Sequence, residues 1–365
     1  MSLEQLSTQL ENQKRDLSYS PVILDLNKKA DQKKLQSVLE NKPTMVDFYS
    51  DQLKELEEVN HPELIANPHS YGGETGRNIK DGRWVYYSWK NSLVHVLDEN
   101  DYYKLRTSRN LNLITEKEQK ILRKKKIAFA GLNVGNPGAI CCALEGVGSY
   151  YRYADFDELS LSNLNRFRSG LCELGINKAT LTTRQAYEID PYLKIDLFDK
   201  GVDPRNPDEF LVNPKVDIFI EEVDNLKLKI DIRKSAKKYN IPVVMVTGNG
   251  QNVIIDVERY DTDKSLDILS GDLKKEVIDD IYNLNPKTAT LDEKIKLAMD
   301  FMGDDILHPR LVESFSQIGK KLAGIPQLSE SSFLRGGAIC YFVRRILLKE
   351  DVPSGRYFLD MDKLI

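Results

Sequence analysis

The sequence predicts an α/β fold with a Rossmann-like, doubly wound sheet, because one stretch reads as strand, glycine turn, helix, strand and acid. The apolar run Ile127 to Ala130 is typical of a buried parallel strand. We expect a turn over Gly131 to Gly138 and a helix over Ala139 to Leu144. A second strand, Tyr150 to Ala154, ends at Asp155.

The glycines and the acid allow two interpretations. Asp155 follows Gly131 by 24 residues, close to the ~20 expected for a carboxylate that binds the ribose of a nucleotide held at the turn. The spacing of Gly131, Gly135 and Gly138 differs from GxGxxG, and no Gly-Lys-Ser/Thr of a P-loop follows. These residues alone leave nucleotide binding and a simple tight turn both open.

The composition bounds the function. The chain has 365 residues, of which 41% are hydrophobic, with 52 basic and 56 acidic residues. This balance does not favour a nucleic-acid partner. The polar N-terminus does not resemble a secretory signal, and no apolar run approaches the ~18 residues of a membrane span. We therefore expect a cytoplasmic protein without a membrane partner.

The four cysteines are Cys141, Cys142, Cys172 and Cys340, and no two of them form a C-x-x-C pair. We therefore expect neither a disulfide framework nor a zinc site. We expect Cys141 and Cys142 to be buried in a helix.

Three regions are predicted: a small α+β region at 1–100, an α/β domain at 101–262 that contains the glycine turn, and a mostly helical C-terminal extension packed on it at 263–365. The first region is expected to hold a helix at 45–59 and a hairpin at 83–97. The aromatic residues of this hairpin could form a ligand platform, but a hairpin packed on a core is more common.

The first region should also contain a second helix at 32–39 and a loop at 68–82. Thr115 and Glu118 have the spacing of a capping box, which predicts a helix that runs to about Lys124. In the C-terminal extension we expect a helix over 332–348, interrupted at its glycine pair.

The run from Asp155 to Arg166, DFDELSLSNLNR, resembles the D-x-D-x-[VL]-x-x-S-N-L-x-R signature of the ThiF/MoeB/ubiquitin-activating superfamily. The resemblance covers roughly residues 102–261. It implies an ATP-binding adenylation domain in which the glycine turn, Gly131 with Gly135, lies against the nucleotide. Asp155 and Asp157 would serve the ribose side of that nucleotide.

The resemblance also implies the groups that act on the phosphates. Asn163 would bond a phosphate or ribose oxygen, while Arg166 and Lys178 would neutralise phosphate charge. Asp224, followed by Asn225, would hold Mg²⁺ at the end of a strand; a carboxylate is a suitable hard ligand for this ion. Asp224 could also, or instead, be the N-cap of the next helix.

Two further features follow from the comparison with this superfamily. Arg109 occupies the place of an arginine that reaches the partner subunit's ATP, which implies a homodimer; a solvated arginine is the alternative. Glu221 and Glu222 are unusual here and could add a metal contact or bind a cationic partner. Lys229 matches an arginine of the superfamily only weakly.

The implied reaction is attack of a carboxylate on the α-phosphate of ATP, giving an acyl-adenylate and pyrophosphate. The acid could be a ubiquitin-like C-terminus, a peptide or a small molecule. Because no cysteine lies between Cys172 and Cys340, we expect no catalytic thioester. The alternatives are an NAD-dependent Rossmann oxidoreductase and a nucleotide-binding scaffold without catalysis.

Overall fold

The computed structural model describes residues 15–66, 78–285 and 287–364, together with residues 3 and 5. Contacts divide the chain into two compact units, Met1–Arg109 and Asn110–Ile365. Most of the loop expected at 68–82 lies outside the described residues. No helix of the described part is long and apolar enough to cross a bilayer. The division into regions at 100 and 262 remains a prediction.

The first unit is a four-stranded sheet with helices. Its strands lie in the order β1-β3-β4-β2, with β2 and β4 parallel and the other pairs antiparallel. The strands are β1 (Val22–Leu24), β2 (Thr44–Asp47), β3 (Arg83–Tyr87) and β4 (Ser92–Val96). The helices are α1 (Lys29–Glu40), α2 (Tyr49–Asn60), α3 (Glu63–Ala66) and α4 (Glu99–Arg106).

The helix predicted at 45–59 was wrong in its first part. Residues 44–47 form β2 because they pair with β4, and α2 begins only at Tyr49. The predicted hairpin is present, and its rings belong to the core. His95 is fully buried, with the ring of Trp84 stacked at 4.4 Å and that of Tyr49 at 4.2 Å.

The second unit is a seven-stranded α/β sheet in the order β11-β10-β9-β8-β5-β6-β7. The five strands from β9 to β7 are parallel, and β10 and β11 continue the sheet antiparallel. The predicted doubly wound α/β class is confirmed. The strands are β5 (Lys126–Ala130), β6 (Tyr150–Ala154), β7 (Lys194–Phe198), β8 (Ile218–Glu221), β9 (Val243–Asn249), β10 (Asn252–Glu258) and β11 (Gly355–Leu359).

Helices cover this sheet, and the capping box at Thr115 and Glu118 is present as predicted. The helices before β9 are α5 (Glu116–Arg123), α6 (Leu132–Glu145), α7 (Lys178–Ile189), α8 (Pro207–Val212) and α9 (Leu226–Lys238). Those after β10 are α10 (Lys275–Asn283), α11 (Leu291–Met302), α12 (Pro309–Gln317) and α13 (Ser329–Leu347).

The glycine turn is shorter than predicted. Helix α6 begins at Leu132 rather than Ala139, so Gly135 and Gly138 lie inside it together with Pro137. Glycine and proline are poor helix formers, but tertiary packing overrides propensity here. A Cβ on Gly138 would lie 2.6 Å from Ile339 of α13, so the missing side chain allows the two helices to approach closely.

Helix α13 is likewise continuous through Gly336 and Gly337, where an interruption was expected. A Cβ on Gly336 would lie 2.7 Å from Pro137 of α6. The glycines on both helices therefore share one purpose, a close crossing of α6 and α13. This crossing fixes where the N-terminal part of α13 meets the sheet.

Candidate functional site

The site lies at the carboxyl ends of β5 and β8. The chain passes from β5 to β6 and β7 on one side, then returns to β8 and β9 on the other side of β5. Such a reversal opens a crevice where ligands of doubly wound sheets bind. Gly131 directly follows β5. Glu221 is the last residue of β8, and the residues up to Asp224 follow it, so both segments border this crevice.

Gly131 makes the sharp turn from β5 into α6. Its φ is +85°, a conformation that favours glycine, and a Cβ would overlap the carbonyl oxygen of Glu222. The N-terminus of α6 thus lies directly at the strand end, with backbone N–H groups that the helix itself cannot bond. Gly135 lies one turn further on, buried and packed against the Glu222 side chain.

Asp155 and Asp157 have different environments. Asp155 is buried, and its two carboxylate oxygens accept hydrogen bonds from the backbone N–H groups of Leu132 (2.6 Å) and Asp157 (2.8 Å). Burial raises the pKa of Asp155, and these two hydrogen bonds oppose the shift. Asp155 therefore caps α6, and the more exposed carboxylate of the pair is that of Asp157.

Lys178 is brought to Asp157 by the start of α7. Asn177 caps this helix by accepting a hydrogen bond from the backbone N–H of Thr180 at 3.0 Å. Lys178 is the first helical residue; its side chain is 5% exposed and its Nζ lies 2.9 Å from the Asp157 carboxylate. The structure thus joins two of the predicted nucleotide-binding residues in one ion pair.

Asn163 and Arg166 lie in the loop that follows β6. The side-chain oxygen of Asn163 accepts hydrogen bonds from the N–H and hydroxyl of Ser160, which shapes the turn Leu161–Asn163. Arg166 donates to the carbonyl of Ser162 at 3.1 Å, but its Nε is buried without a partner among the described residues. Burial lowers the pKa of Arg166, and the Asp224 carboxylate opposes that shift.

Asp224 is exposed and, among the described residues, makes no hydrogen bond or ion pair. The alternative considered for Asp224, that it is the N-cap of the following helix, is wrong. Asn225 is the N-cap of α9, since its side-chain oxygen accepts from the N–H of Leu228 at 2.9 Å. The cap therefore leaves the Asp224 carboxylate available beside Arg166.

Glu221 is not available for a metal or a partner, contrary to one expectation. It is fully buried and paired with Lys229 at 3.1 Å and with Arg233, whose Nε lies 2.8 Å from Glu258. Burial opposes ionisation of Glu221, but Lys229 and Arg233 outweigh it and lower the pKa of the carboxyl. This network also engages Lys229.

Glu222 points the other way along the strand end. Its Oε1 accepts a hydrogen bond from the backbone N–H of Val246 at 2.7 Å. Burial raises the pKa of Glu222 to about 8, and the charges of Lys229 and Arg335 oppose the shift. Glu221 thus belongs to the buried ion-pair network, whereas the adjacent Glu222 belongs to the site.

Arg335 of α13 was missed by sequence reasoning. It is 3% exposed, and its one hydrogen bond among the described residues runs from Nε to the carbonyl of Ser331 at 3.3 Å. Burial lowers the pKa of Arg335, Glu222 opposes the shift and Arg166 adds to it. Only the crossing of α6 and α13 brings this residue to the strand ends, and no local pattern signals that crossing.

A cavity of about 190 Å³ lies beside the ends of β8 and β9. Helices α6, α9, α11, α12 and α13 and the segment 325–327 provide its other walls. Its polar lining includes Glu222, Asp224, Lys229, Gln327 and Arg335, and its apolar lining includes Met245, Phe301, Leu311, Phe315 and Ile325.

The cysteines lie in two places. Cys172 is exposed, Cys142 and Cys340 are buried, and Cys141 is only partly buried, contrary to expectation. Ligand atoms of Cys141, Glu145 and Cys340 lie within 4.8 Å of one another. Glu145 is already engaged there, by the Cys340 thiol at 3.1 Å and by Arg344 at 2.8 Å.

Arg109 lies in the turn Ser108–Asn110, at the end of the first unit, and is exposed. The role predicted for Arg109, contact with the ATP of a partner subunit, stays a prediction.

Comparison with known proteins shows a family model that matches part of the sequence and solved structures with a similar fold. Residues 107–272 match the model of the ThiF family. An uncharacterised protein of Mycobacterium tuberculosis is 35% identical over 279 residues, which cover 76% of this chain but only 38% of that protein. A tRNA threonylcarbamoyladenosine dehydratase of Haemophilus influenzae is 24% identical over 231 residues, covering 61% of this chain and 85% of that protein.

Among solved structures, the E. coli tRNA N6-threonylcarbamoyladenosine dehydratase TcdA, in complex with ATP, matches with a TM-score of 0.50 at 17% identity. The match covers 69% of this chain and 98% of that chain. At this identity the likeness concerns the fold.

Proposed function

Since residues 107–272 match the model of the ThiF family, we propose that this chain activates a carboxylic acid with ATP. A carboxylate oxygen forms a bond to the α-phosphorus, the bond from that phosphorus to the departing pyrophosphate breaks, and an acyl-adenylate remains. No proton has to move, because the attacking carboxylate is already ionised. Catalysis is then mainly positioning and neutralisation of charge.

The observation that carries this proposal is that Arg166 and Asp224 have hydrogen-bonding capacity that the described residues leave unused. The Nε of Arg166 is buried and unpaired, and the Asp224 carboxylate has no partner among the described residues. A buried donor without a partner is costly. A phosphate would supply the acceptor that Arg166 lacks.

The same residues fit ATP and Mg²⁺. The start of α6 offers backbone N–H groups to a phosphate, and Lys178 adds a second cation. Asp224 would hold Mg²⁺, which would neutralise phosphate charge when bound. Asp157 is the more accessible carboxylate for the ribose, because Asp155 is buried and the Asp157 side chain is partly exposed.

The comparisons support this proposal in two ways. The TcdA structure with a similar fold contains ATP, and relatives of the chain include ubiquitin-like modifier-activating enzyme 5 of Drosophila ananassae, 26% identical over 159 residues that cover 40% of this chain and 39% of that enzyme. The proposal extends to a homodimer in which Arg109 enters the neighbouring site.

Calorimetry with Mg²⁺-ATP and with NAD tests the nucleotide. We expect ATP to bind more tightly, and Asp224→Asn to weaken Mg²⁺-ATP binding about tenfold, equivalent to ~1.4 kcal/mol. Asp203→Asn, a change at an acid paired on the surface with Arg205, is the matched control and should have no effect. Equal or tighter binding of NAD would favour an oxidoreductase and contradict adenylation.

A further inference from the structure

We propose that the cavity beside the ends of β8 and β9 binds the acyl substrate as a free carboxylic acid of amino-acid size, with its carboxylate on Arg335. The apolar part of this acid would lie between α11 and α12. The inference rests on the proposed adenylation and names the class of substrate that the site accepts.

Arg335 is the first reason. Its guanidinium is almost wholly buried, it makes no ion pair among the described residues, and Nε is its only hydrogen-bonded nitrogen there. A buried charge is normally paired because removing it from water is costly. The planar guanidinium matches a carboxylate through two parallel hydrogen bonds. A carboxylate ligand in the cavity would therefore satisfy it.

Gln327 is the second reason, independent of the first. Its side-chain oxygen is buried and has no hydrogen-bond partner among the described residues, and Gln327 lines the same cavity. An amide oxygen can only accept a hydrogen bond. A ligand that reaches this oxygen should therefore carry a donor, such as an amine or a hydroxyl, in addition to the carboxylate bound by Arg335.

The remaining walls of the cavity determine which side chain of the acid fits. Met245 lies on the strand side, while Phe301, Leu311 and Phe315 come from the helices opposite. Such walls favour apolar groups, since burial of apolar surface stabilises binding in proportion to area. A polar or charged tail would leave its own groups without partners there.

The size of the cavity favours a small molecule over the end of a polypeptide. Its volume of about 190 Å³ lies below the ~300–1,000 Å³ of pockets that hold drug-sized ligands. Strand ends line it on one side and helices on the other. Asp224 also lines it, so the bound carboxylate would lie beside the residue proposed to hold Mg²⁺ on ATP.

The test is ATP–pyrophosphate exchange with free acids. The panel contains L-leucine, L-isoleucine, L-methionine and L-phenylalanine, with 4-methylpentanoate as the leucine analogue that lacks the amine. A peptide ending in Gly-Gly represents a ubiquitin-like C-terminus. We expect exchange with at least one apolar amino acid, weaker exchange with 4-methylpentanoate and none with the peptide.

Variants of residues that line the cavity test whether the acid binds there. Arg335→Lys should raise the KM for the acid at least tenfold and leave the KM for ATP unchanged. Arg345→Lys, the same change on the same helix at an arginine paired with Glu350, should change neither. Ala298→Leu adds volume inside the cavity and provides a second variant; it should weaken acid binding while ATP binding is retained.

Binding is also measured without catalysis, by saturation-transfer NMR of the same acids with wild type and variants. If the peptide supports exchange and no acid of the panel binds, the small-acid inference is overturned and adenylation stands. If ATP binds but no acid of the panel binds or exchanges, the inference is likewise overturned. If Mg²⁺-ATP itself does not bind, the proposed function fails first.

Discussion

At the scale of residues, two acids in one motif have separate tasks. Asp155 and Asp157 are two positions apart, yet only Asp155 is buried. Its oxygens bond the backbone at the start of α6 and at Asp157. The spacing of Asp155 from Gly131 is that of a ribose ligand, but one of its oxygens bonds the start of α6 and the other bonds the backbone of Asp157.

We expect Asp155→Ala to lower the free energy of unfolding by about 1–3 kcal/mol, because it leaves buried N–H groups without an acceptor. Urea denaturation measures this change. Asp157→Ala is the matched control: its partly exposed ion pair with Lys178 should contribute at most about 1 kcal/mol. ATP affinity should respond more to Asp157→Ala. The opposite ranking in both assays would return the ribose role to Asp155.

The buried network around Arg233 provides a second prediction at this scale. Arg233 is fully buried between Glu221 and Glu258. Arg233→Met would leave two buried carboxylates without their shared partner, and we expect unfolding to become easier by about 3–5 kcal/mol. Arg205→Met removes an exposed pair with Asp203 and should change the denaturation midpoint little. Equal midpoints for the two variants would show that the network does not stabilise the fold.

At the scale of elements, the crossing of α6 and α13 organises the site. Gly138 and Gly336 permit the close approach, and the approach places Arg335 at the strand ends. The helices therefore serve both the core and the cavity. A substitution that separates them should affect stability and substrate binding together.

Gly138→Ala tests this crossing. The new Cβ would lie 2.6 Å from Cγ2 of Ile339, close to the backbone of α13, where relief requires the helix to shift. We expect a loss of about 1–3 kcal/mol in the free energy of unfolding, as for an overpacked core. At Gly170, φ is −121° and a Cβ would meet nothing within 4 Å. Gly170→Ala should therefore be neutral or slightly stabilising in the same thermal denaturation assay.

At the scale of the whole molecule, the proposed homodimer joins two incomplete sites. ATP with Mg²⁺ retains negative charge, and the attacking carboxylate adds more. Arg166 and Lys178 come from the second unit, whereas Arg109 ends the first unit and is exposed. A two-fold interface is self-complementary, so one kind of chain can complete both sites.

We expect mixing of two inactive variants, Arg109→Ala and Asp224→Ala, to restore ATP–pyrophosphate exchange. A mixed dimer would contain one site with both defects and one with neither, so up to about half of its sites would be intact. Native mass spectrometry confirms that subunits exchange. Exchange of subunits without recovery of activity would remove the shared-site proposal and leave adenylation untouched.

The sequence by itself determined the class of fold and most of its elements. Apolar strands such as β5 and β6, and the cap at Thr115, depend on patterns within a few residues, which are visible before folding. The same holds for the motif from Asp155 to Arg166, since its residue types and spacing are local. Residues 107–272 accordingly match the model of the ThiF family, the family that these residues indicate.

Only the tertiary structure decided which members of that pattern are available for chemistry. It engaged Asp155 in a helix cap and Glu221 in an ion network, and it moved the cap of α9 to Asn225, which leaves Asp224 without a partner among the described residues. It also brought Arg335 to the strand ends from more than a hundred residues away in the chain. The physical reason is that burial and pairing depend on contacts between distant segments, which residue spacing does not encode.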